Sequence, residues 1–144
     1  MNLYLDTSAL IKRYVSEIGS PDVREWVRSA DDQATVLITR AEMSAAINRL
    51  LRMKFLTQED YFSALNEFRS DWRDYHRLPV TEPLVARADL LACEHNLRGY
   101  DAIHLAAALT WQELLSMPVT LVTYDKELAE AARTSGMEVL PENQ

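Results

Sequence analysis

The chain has 144 residues, 48% of them hydrophobic and 26% charged, which is typical of one compact domain. Its net charge of −7 at pH 7 excludes broad, charge-driven binding of nucleic acid, because such binding needs many Lys and Arg side chains facing phosphates. No apolar run approaches the roughly 20 residues that cross a bilayer, and the N-terminus lacks the pattern of a secretory signal, so we expect an unprocessed cytoplasmic protein with no membrane contact.

Short β-rich runs alternate with helical patterns along the chain, which is typical of an α/β fold with a parallel sheet. Five strands are predicted, at Asn2–Leu5, Thr35–Ile38, His76–Val80, Val119–Thr123 and Glu138–Leu140. Seven helices are predicted between them, at Thr7–Val15, Pro21–Ser29, Arg40–Lys54, Thr57–Tyr75, Glu82–His95, Asp101–Ser116 and Lys126–Ser135. With no Gly- or Ser-rich linker and no repeat, residues 1–144 are expected to form a single domain.

Four acidic residues stand where an apolar run gives way to a helical pattern: Asp6 in LYLDTS, Glu42 in LITRAE, Asp101 in RGYDAIH and Asp125 in LVTYDKEL. If the fold gathers these carboxylates, the accumulated negative charge is costly unless a cation neutralises it. The carboxyl ends of parallel strands face one crevice, so Asp6, Glu42 and Asp125 are expected to share a rim. Strand order does not place Asp101, because that residue follows a helix.

Each acid also has a purely structural interpretation. Asp6 could cap a helix through its side-chain oxygen, and Asp101 and Asp125 could complement a helix dipole. Thr39 and Glu42 have the T-x-x-E spacing of a capping box, which would explain Glu42 without any chemistry.

The succession LYLDTSALIKRY, LITRAEMSAAINRL, LRGYDAIHLAAAL and LVTYDKELAEAA resembles the PIN-domain proteins over nearly the whole chain, most specifically the VapC-like toxins of toxin–antitoxin pairs. The resemblance implies a five-stranded twisted parallel sheet flanked by helices. It also implies a site that binds Mg²⁺ or Mn²⁺ and cleaves RNA to 5′-phosphate and 3′-hydroxyl ends. Position by position, Asp6, Glu42, Asp101 and Asp125 match the acids of that site, and Thr123 matches the hydroxyl residue two places before the last acid.

The same resemblance implies a VapB-like antitoxin as partner and self-association into a dimer. The apolar, aromatic segment between Thr57 and Tyr75 could supply either surface.

Carboxylate oxygens suit Mg²⁺, which keeps several waters and needs no His or Cys cluster. Asp6 and Asp101 are predicted as direct ligands. Glu42 and Asp125 are predicted as ligands or as groups that act through water, and either Glu42 or Asp101 is the candidate general base. The hydroxyls of Thr7, Ser8 and Thr123 are expected to support the acids.

Two arginines, Arg40 and Arg98, are the preferred contacts for RNA phosphate, because each lies within a few residues of a predicted ligand. For His104, a packing or hydrogen-bonding role is favoured over metal ligation. The single cysteine, Cys93, is expected to pack within a helix.

Two of three alternative classes of protein do not fit the sequence. A haloacid dehalogenase-type enzyme needs a second Asp two residues after the first, but Ser8 stands at that position. A receiver domain needs a pair of acids soon after its first strand, whereas Asp31 and Asp32 are predicted in a loop before the second strand. The alternative that stays open is a catalytically silent PIN-fold module that binds a protein or RNA.

Overall fold

Five strands form one sheet in the computed structural model, which describes residues 1–143. They are β1 (Asn2–Leu5), β2 (Asp32–Val36), β3 (His76–Leu78), β4 (Val119–Val122) and β5 (Glu138–Leu140). The strand order is β3-β2-β1-β4-β5, and all four pairings are parallel. The chain therefore builds outward from β1 in both directions, which leaves a crevice at the carboxyl ends of β1 and β4. The predicted parallel sheet of five strands is confirmed.

Seven α-helices connect the strands. They are α1 (Thr7–Tyr14), α2 (Ser20–Ser29), α3 (Thr39–Arg52), α4 (Gln58–Asp71), α5 (Glu82–His95), α6 (Gly99–Leu115) and α7 (Lys126–Thr134). A 3₁₀ turn at Trp72–Asp74 follows α4, so the long helix predicted to reach Tyr75 ends earlier. Strand β2 lies earlier in the chain than the predicted Thr35–Ile38, because it begins at Asp32 and ends at Val36. Asp32 is therefore in a strand and not in a loop.

The sheet separates two apolar layers, because successive side chains of a strand point to opposite faces. In β1, Leu3 and Leu5 pack with helices α1 to α4, whereas Tyr4 packs with α5 to α7. Ala106 and Ala107 of α6 are fully buried in the second layer. Small side chains there bring α6 close to the sheet, which places the first turn of α6 beside the carboxyl ends of the strands.

Cys93 is exposed, so the prediction that it contributes to helix packing is wrong. Trp72 and Trp111 are buried in the core. Within residues 1–143, no helix has both the length and the apolar character needed to span a membrane.

Candidate active site

Asp6 follows β1 directly and caps the N-terminus of α1. Its Oδ1 atom accepts hydrogen bonds from the Ala9 amide at 2.9 Å and the Ser8 hydroxyl at 2.7 Å, while Oδ2 accepts one from the Thr123 hydroxyl at 2.6 Å. The residue is 3% exposed. Burial raises the pKa of Asp6, and the nearby His104 together with these hydrogen bonds offsets that effect only in part. Asp6 is therefore both a helix cap and a buried carboxylate whose charge a cation would stabilise.

Hydroxyl groups join the end of β1 to the end of β4. Besides donating to Asp6, the Thr123 hydroxyl accepts a hydrogen bond from the Asp125 amide at 3.1 Å. The Ser8 hydroxyl accepts one from the Tyr124 amide at 2.9 Å. These contacts bring Asp6 and Asp125 to one rim, as the sheet topology predicted, and the hydroxyls of Ser8 and Thr123 are the groups that make them.

Glu42 reaches the same rim from the first turn of α3. Its Oε1 atom accepts a hydrogen bond from the Thr7 hydroxyl at 2.8 Å and lies 2.9 Å from Nε2 of His104. Burial raises the pKa of Glu42, but the hydrogen bond and electrostatic attraction of the His104 ring, together with the Thr7 hydroxyl, outweigh burial and hold the pKa below its ordinary value. Glu42 is therefore ionised at neutral pH, and one of its oxygens has two fixed partners.

The capping-box interpretation of Glu42 is wrong. The helix is capped by Ile38, which makes no side-chain hydrogen bond to the first turn. Thr39 lies inside the helix, fully buried, and its hydroxyl is 2.8 Å from the hydroxyl of Thr35 in β2. The T-x-x-E spacing is present, but Thr39 pairs with the neighbouring strand, so the Glu42 side chain is directed to Thr7 and His104 instead.

His104 connects Glu42 to the core of the sheet. It is 2% exposed, and its Nδ1 atom lies 2.9 Å from the hydroxyl of Tyr4, which is fully buried in β1. Both hydrogen bonds are satisfied by the tautomer that carries its proton on Nε2, because Nδ1 then accepts from Tyr4 and Nε2 donates to Glu42. The predicted hydrogen-bonding role of His104 is confirmed. Tyr4 was missed, although a tyrosine within a buried strand must find a partner for its hydroxyl.

Asp101 lies in the first turn of α6, which begins two residues earlier than predicted. The side chain of Arg98, at the capping position of α6, bridges two acids: Nε lies 3.1 Å from Oδ2 of Asp101, and Nη2 lies 3.1 Å from Oδ2 of Asp125. Burial and the neighbouring Asp125 raise the pKa of Asp101, and Arg98 offsets this only in part. The position of Asp101, which strand order left open, is therefore beside Asp125.

Asp125 itself caps α7, since its Oδ1 accepts a hydrogen bond from the Leu128 amide at 2.9 Å. Its Oδ2 faces Arg98. Of the two arginines predicted to contact RNA, Arg98 therefore faces the acids, whereas Arg40 is exposed at the start of α3.

The acids are brought to one region, but they do not form a closed metal cage. Among the residues that the structure describes, no group of three or more His, Cys, Asp or Glu side chains is arranged to hold a metal ion. A closed cage is not what Mg²⁺ requires, because it usually keeps several waters and takes one or two carboxylates together with substrate phosphate. The donor chemistry fits such an ion: all four groups are carboxylates, and burial raises the pKa of both Asp6 and Asp101.

Comparison with known proteins agrees with this architecture. The model of the PIN domain family matches residues 3–134. Ribonuclease VapC47 of Mycobacterium tuberculosis (strain CDC 1551 / Oshkosh) is 32% identical over 138 residues, which cover 93% of this chain and 92% of that protein.

Two solved structures share the fold. The Mycobacterium tuberculosis toxin VapC20, described as cleaving the sarcin–ricin loop, has a TM-score of 0.66 and 14% identity, covering 90% of this chain and 94% of its own. A toxin–antitoxin complex from Klebsiella pneumoniae has a TM-score of 0.62 and 20% identity, and the match covers 88% of this chain and 90% of the chain in that complex. On the family match and the VapC47 relationship, this chain belongs to the PIN-domain family, among its VapC-like members.

Proposed function

We propose that this chain is a metal-dependent endoribonuclease and acts as the toxin of a toxin–antitoxin pair, with residues 1–144 forming one nuclease domain. The observation that carries the proposal is the location of Asp101, close enough to Asp125 for one guanidinium to bridge both, at the rim where Thr123 joins Asp125 to Asp6. A helix cap alone does not need a second carboxylate beside it. The name of the 32% identical relative, a ribonuclease, supports the same activity.

Asp6 and Asp101 would hold a Mg²⁺ ion, or Mn²⁺ in its place, with Glu42 and Asp125 binding it directly or through water. When bound, such an ion stabilises the negative charge that develops on a phosphodiester during hydrolysis. The raised pKa values of Asp6 and Asp101 support this assignment, because burial disfavours the charged form of both carboxylates, even with Arg98 beside Asp101, and a bound divalent cation would favour it.

The remaining roles follow from the hydrogen bonds of the acids. Glu42 has its Oε1 atom occupied by Thr7 and His104, so its second oxygen is the one available to orient an attacking water. Either Glu42, through that second oxygen, or Asp101 would accept the proton of the attacking water. Addition of water across the P–O3′ bond would leave a 5′-phosphate and a 3′-hydroxyl.

RNA would be held locally, in keeping with a net charge of −7. Arg40, exposed at the start of α3, and Arg98, at the edge of the acids, are the proposed phosphate contacts. We expect the substrate to be a single-stranded loop, because bases in a loop can be splayed out and read, whereas those of an RNA duplex are poorly accessible.

A VapB-like antitoxin is the proposed protein partner. The structural similarity to a toxin–antitoxin complex supports this assignment. Three large apolar side chains are exposed where α3 passes into α4, namely Met53, Phe55 and Phe62. We assign this surface, called here the α3–α4 surface, to the antitoxin, and we propose that the toxin also forms a homodimer.

The test is cleavage of total cellular RNA by the purified chain in Mg²⁺ or Mn²⁺, and again after addition of excess chelator. We expect discrete fragments that carry 5′-phosphates, formed only in the presence of metal and lost in Asp6→Asn. Cleavage that persists in chelator would contradict the proposal. Absence of cleavage on every RNA tested, together with tight binding of a protein partner, would favour the silent binding module.

A further inference from the structure

Arg98 stands apart from the other charged groups of the site because it is the cation that the chain itself places between two of the acids. Its side chain is 77% exposed, whereas those of Asp101 and Asp125 are 17% and 22% exposed. We infer that Arg98 is a resident counter-cation of the site, which holds Asp101 and Asp125 together before a divalent metal binds and competes with that metal for the two carboxylates. This inference rests on the proposed function, since it concerns the same site.

The first argument is the geometry of the bridge. Nε and Nη2 of one guanidinium each lie 3.1 Å from a carboxylate oxygen, one on Asp101 and one on Asp125. The two acids are on different elements, α6 and the loop after β4, so the guanidinium is the direct connection between their side chains. Without a positive charge there, the two carboxylates would repel each other.

The second argument is competition for the same atoms. A divalent ion bound to Asp101 and Asp125 would lie within a few ångströms of the guanidinium, and two cations at that distance repel each other. Arg98 must therefore withdraw, at least in part, when the metal binds. Its high exposure makes withdrawal easy, because water competes effectively for an exposed ion pair.

The third argument is the attachment of Arg98. Its backbone is fixed at the capping position of α6, where its carbonyl accepts the amide of Ala102 at 2.9 Å. A displaced side chain consequently stays at the edge of the acids, where a phosphate of RNA would arrive. Arg98 then couples metal binding to substrate binding, because the side chain that the metal displaces from the acids becomes available to a phosphate of the RNA.

The experiment is titration of metal-free protein with Mn²⁺ alone, without RNA, measured by calorimetry or by the electron paramagnetic resonance of free Mn²⁺. The variants are Arg98→Gln and Arg98→Lys. The matched control is Arg87→Gln, because Arg87 also forms a two-pronged bridge, to Glu113 at 2.7 and 2.8 Å. Glu113 is on α6 about 18 Å along the helix axis from Asp101, at a rise of about 1.5 Å per residue.

We expect Arg98→Gln to bind Mn²⁺ about three- to tenfold more tightly than the wild type, because a competing unit charge is removed. Arg98→Lys keeps the positive charge but loses the planar guanidinium that contacts both acids, so its affinity for Mn²⁺ should lie between those of the wild type and Arg98→Gln. Arg87→Gln should match the wild type. Equal or weaker Mn²⁺ binding by Arg98→Gln would overturn the inference and would show that Arg98 assists the metal site rather than competing with the metal.

This result is distinguishable from failure of the proposed function. If neither the wild type nor Arg98→Gln binds Mn²⁺ at millimolar concentration, the metal centre itself is refuted and the inference falls with it. If the wild type binds Mn²⁺ and Asp101→Asn does not, the centre stands, and the comparison with Arg98→Gln decides the role of Arg98 alone.

Discussion

Nε2 of His104 lies 2.9 Å from Oε1 of Glu42, although 62 residues separate the two in the sequence. The other nitrogen of the same ring meets the hydroxyl of Tyr4, so a chain of hydrogen bonds extends from the middle of the sheet to a candidate catalytic carboxylate. Each member of this chain is fixed by the next, and Glu42 is therefore held in one orientation before any substrate binds.

Removing these outer partners should impair the site without unfolding the protein. We expect His104→Gln to slow RNA cleavage about 10- to 100-fold, the usual effect of losing a partner that orients a metal-site ligand. Tyr4→Phe should have a smaller effect in the same direction, because the ring of His104 then loses only one of its two hydrogen bonds. Single-turnover cleavage rates at saturating Mg²⁺ are the measurement.

Tyr14→Phe is the control for this pair, since it also deletes one buried tyrosine hydroxyl. That hydroxyl lies at the far end of α1 from Asp6 and pairs with Tyr75 and Asp71. We expect Tyr14→Phe to cleave RNA at the wild-type rate. If Tyr4→Phe and Tyr14→Phe lowered the rate equally, the effect would report general stability rather than the orientation of Glu42.

Because three tyrosines are buried, we expect the free energy of unfolding to fall at alkaline pH. Burial raises the pKa of Tyr4, Tyr14 and Tyr75 above the ordinary value of about 10. Above that pH the unfolded chain releases protons that the folded chain retains, so the free energy of unfolding falls as pH rises. Each tyrosine contributes a loss of about 1.4 kcal/mol per pH unit in this range.

The measurement for this prediction is urea denaturation between pH 8 and pH 11, followed by tyrosinate absorbance. We expect the absorbance of these tyrosines to appear together with unfolding. Their titration within the native state, with no change in the unfolding midpoint, would contradict the burial that the structure gives them.

The α3–α4 surface should be required for binding of the antitoxin. We expect the double substitution Phe55→Asp and Phe62→Asp to weaken copurification with the antitoxin at least about tenfold, because exposed aromatic anchors supply much of the energy of such interfaces. Leu114→Asp is the matched control, since Leu114 is equally exposed, at 72% against 70% for Phe55, but lies on α6. RNA cleavage by both variants should be unchanged. Equal loss of the partner in both would refute the assignment of this surface.

Much of the architecture could be predicted from residue patterns, and the failures have local physical causes. Strand β1 and helix α5 have the predicted bounds, because a short apolar strand and a Thr-capped helix carry their own signals. The end of α4 could not be predicted, because the tighter 3₁₀ turn at Trp72–Asp74 preserves a helical pattern of apolar residues.

The candidate site was predictable only where topology determines it. Asp6 and Asp125 follow adjacent parallel strands, so their proximity follows from strand order. The environment of Glu42 could not be predicted from the sequence. The local spacing of Thr39 and Glu42 suggests a capping box, whereas the observed contacts to Thr7 and His104 join residues that are distant in the sequence. Arg98 and Asp101 are three residues apart, but the third member of their bridge, Asp125, is 27 residues from Arg98.

The most direct test of the metal-nuclease account is the rate of Mg²⁺-dependent cleavage of total cellular RNA by Asp101→Asn, compared with Asp89→Asn. Both variants exchange one carboxylate for an amide on a helix, but Asp89 is an exposed residue of α5. We predict that Asp89→Asn cleaves at the wild-type rate and that Asp101→Asn is slower by about 100-fold or more. Cleavage by Asp101→Asn at the wild-type rate would show that Asp101 is not part of the metal centre and would contradict the four-carboxylate site.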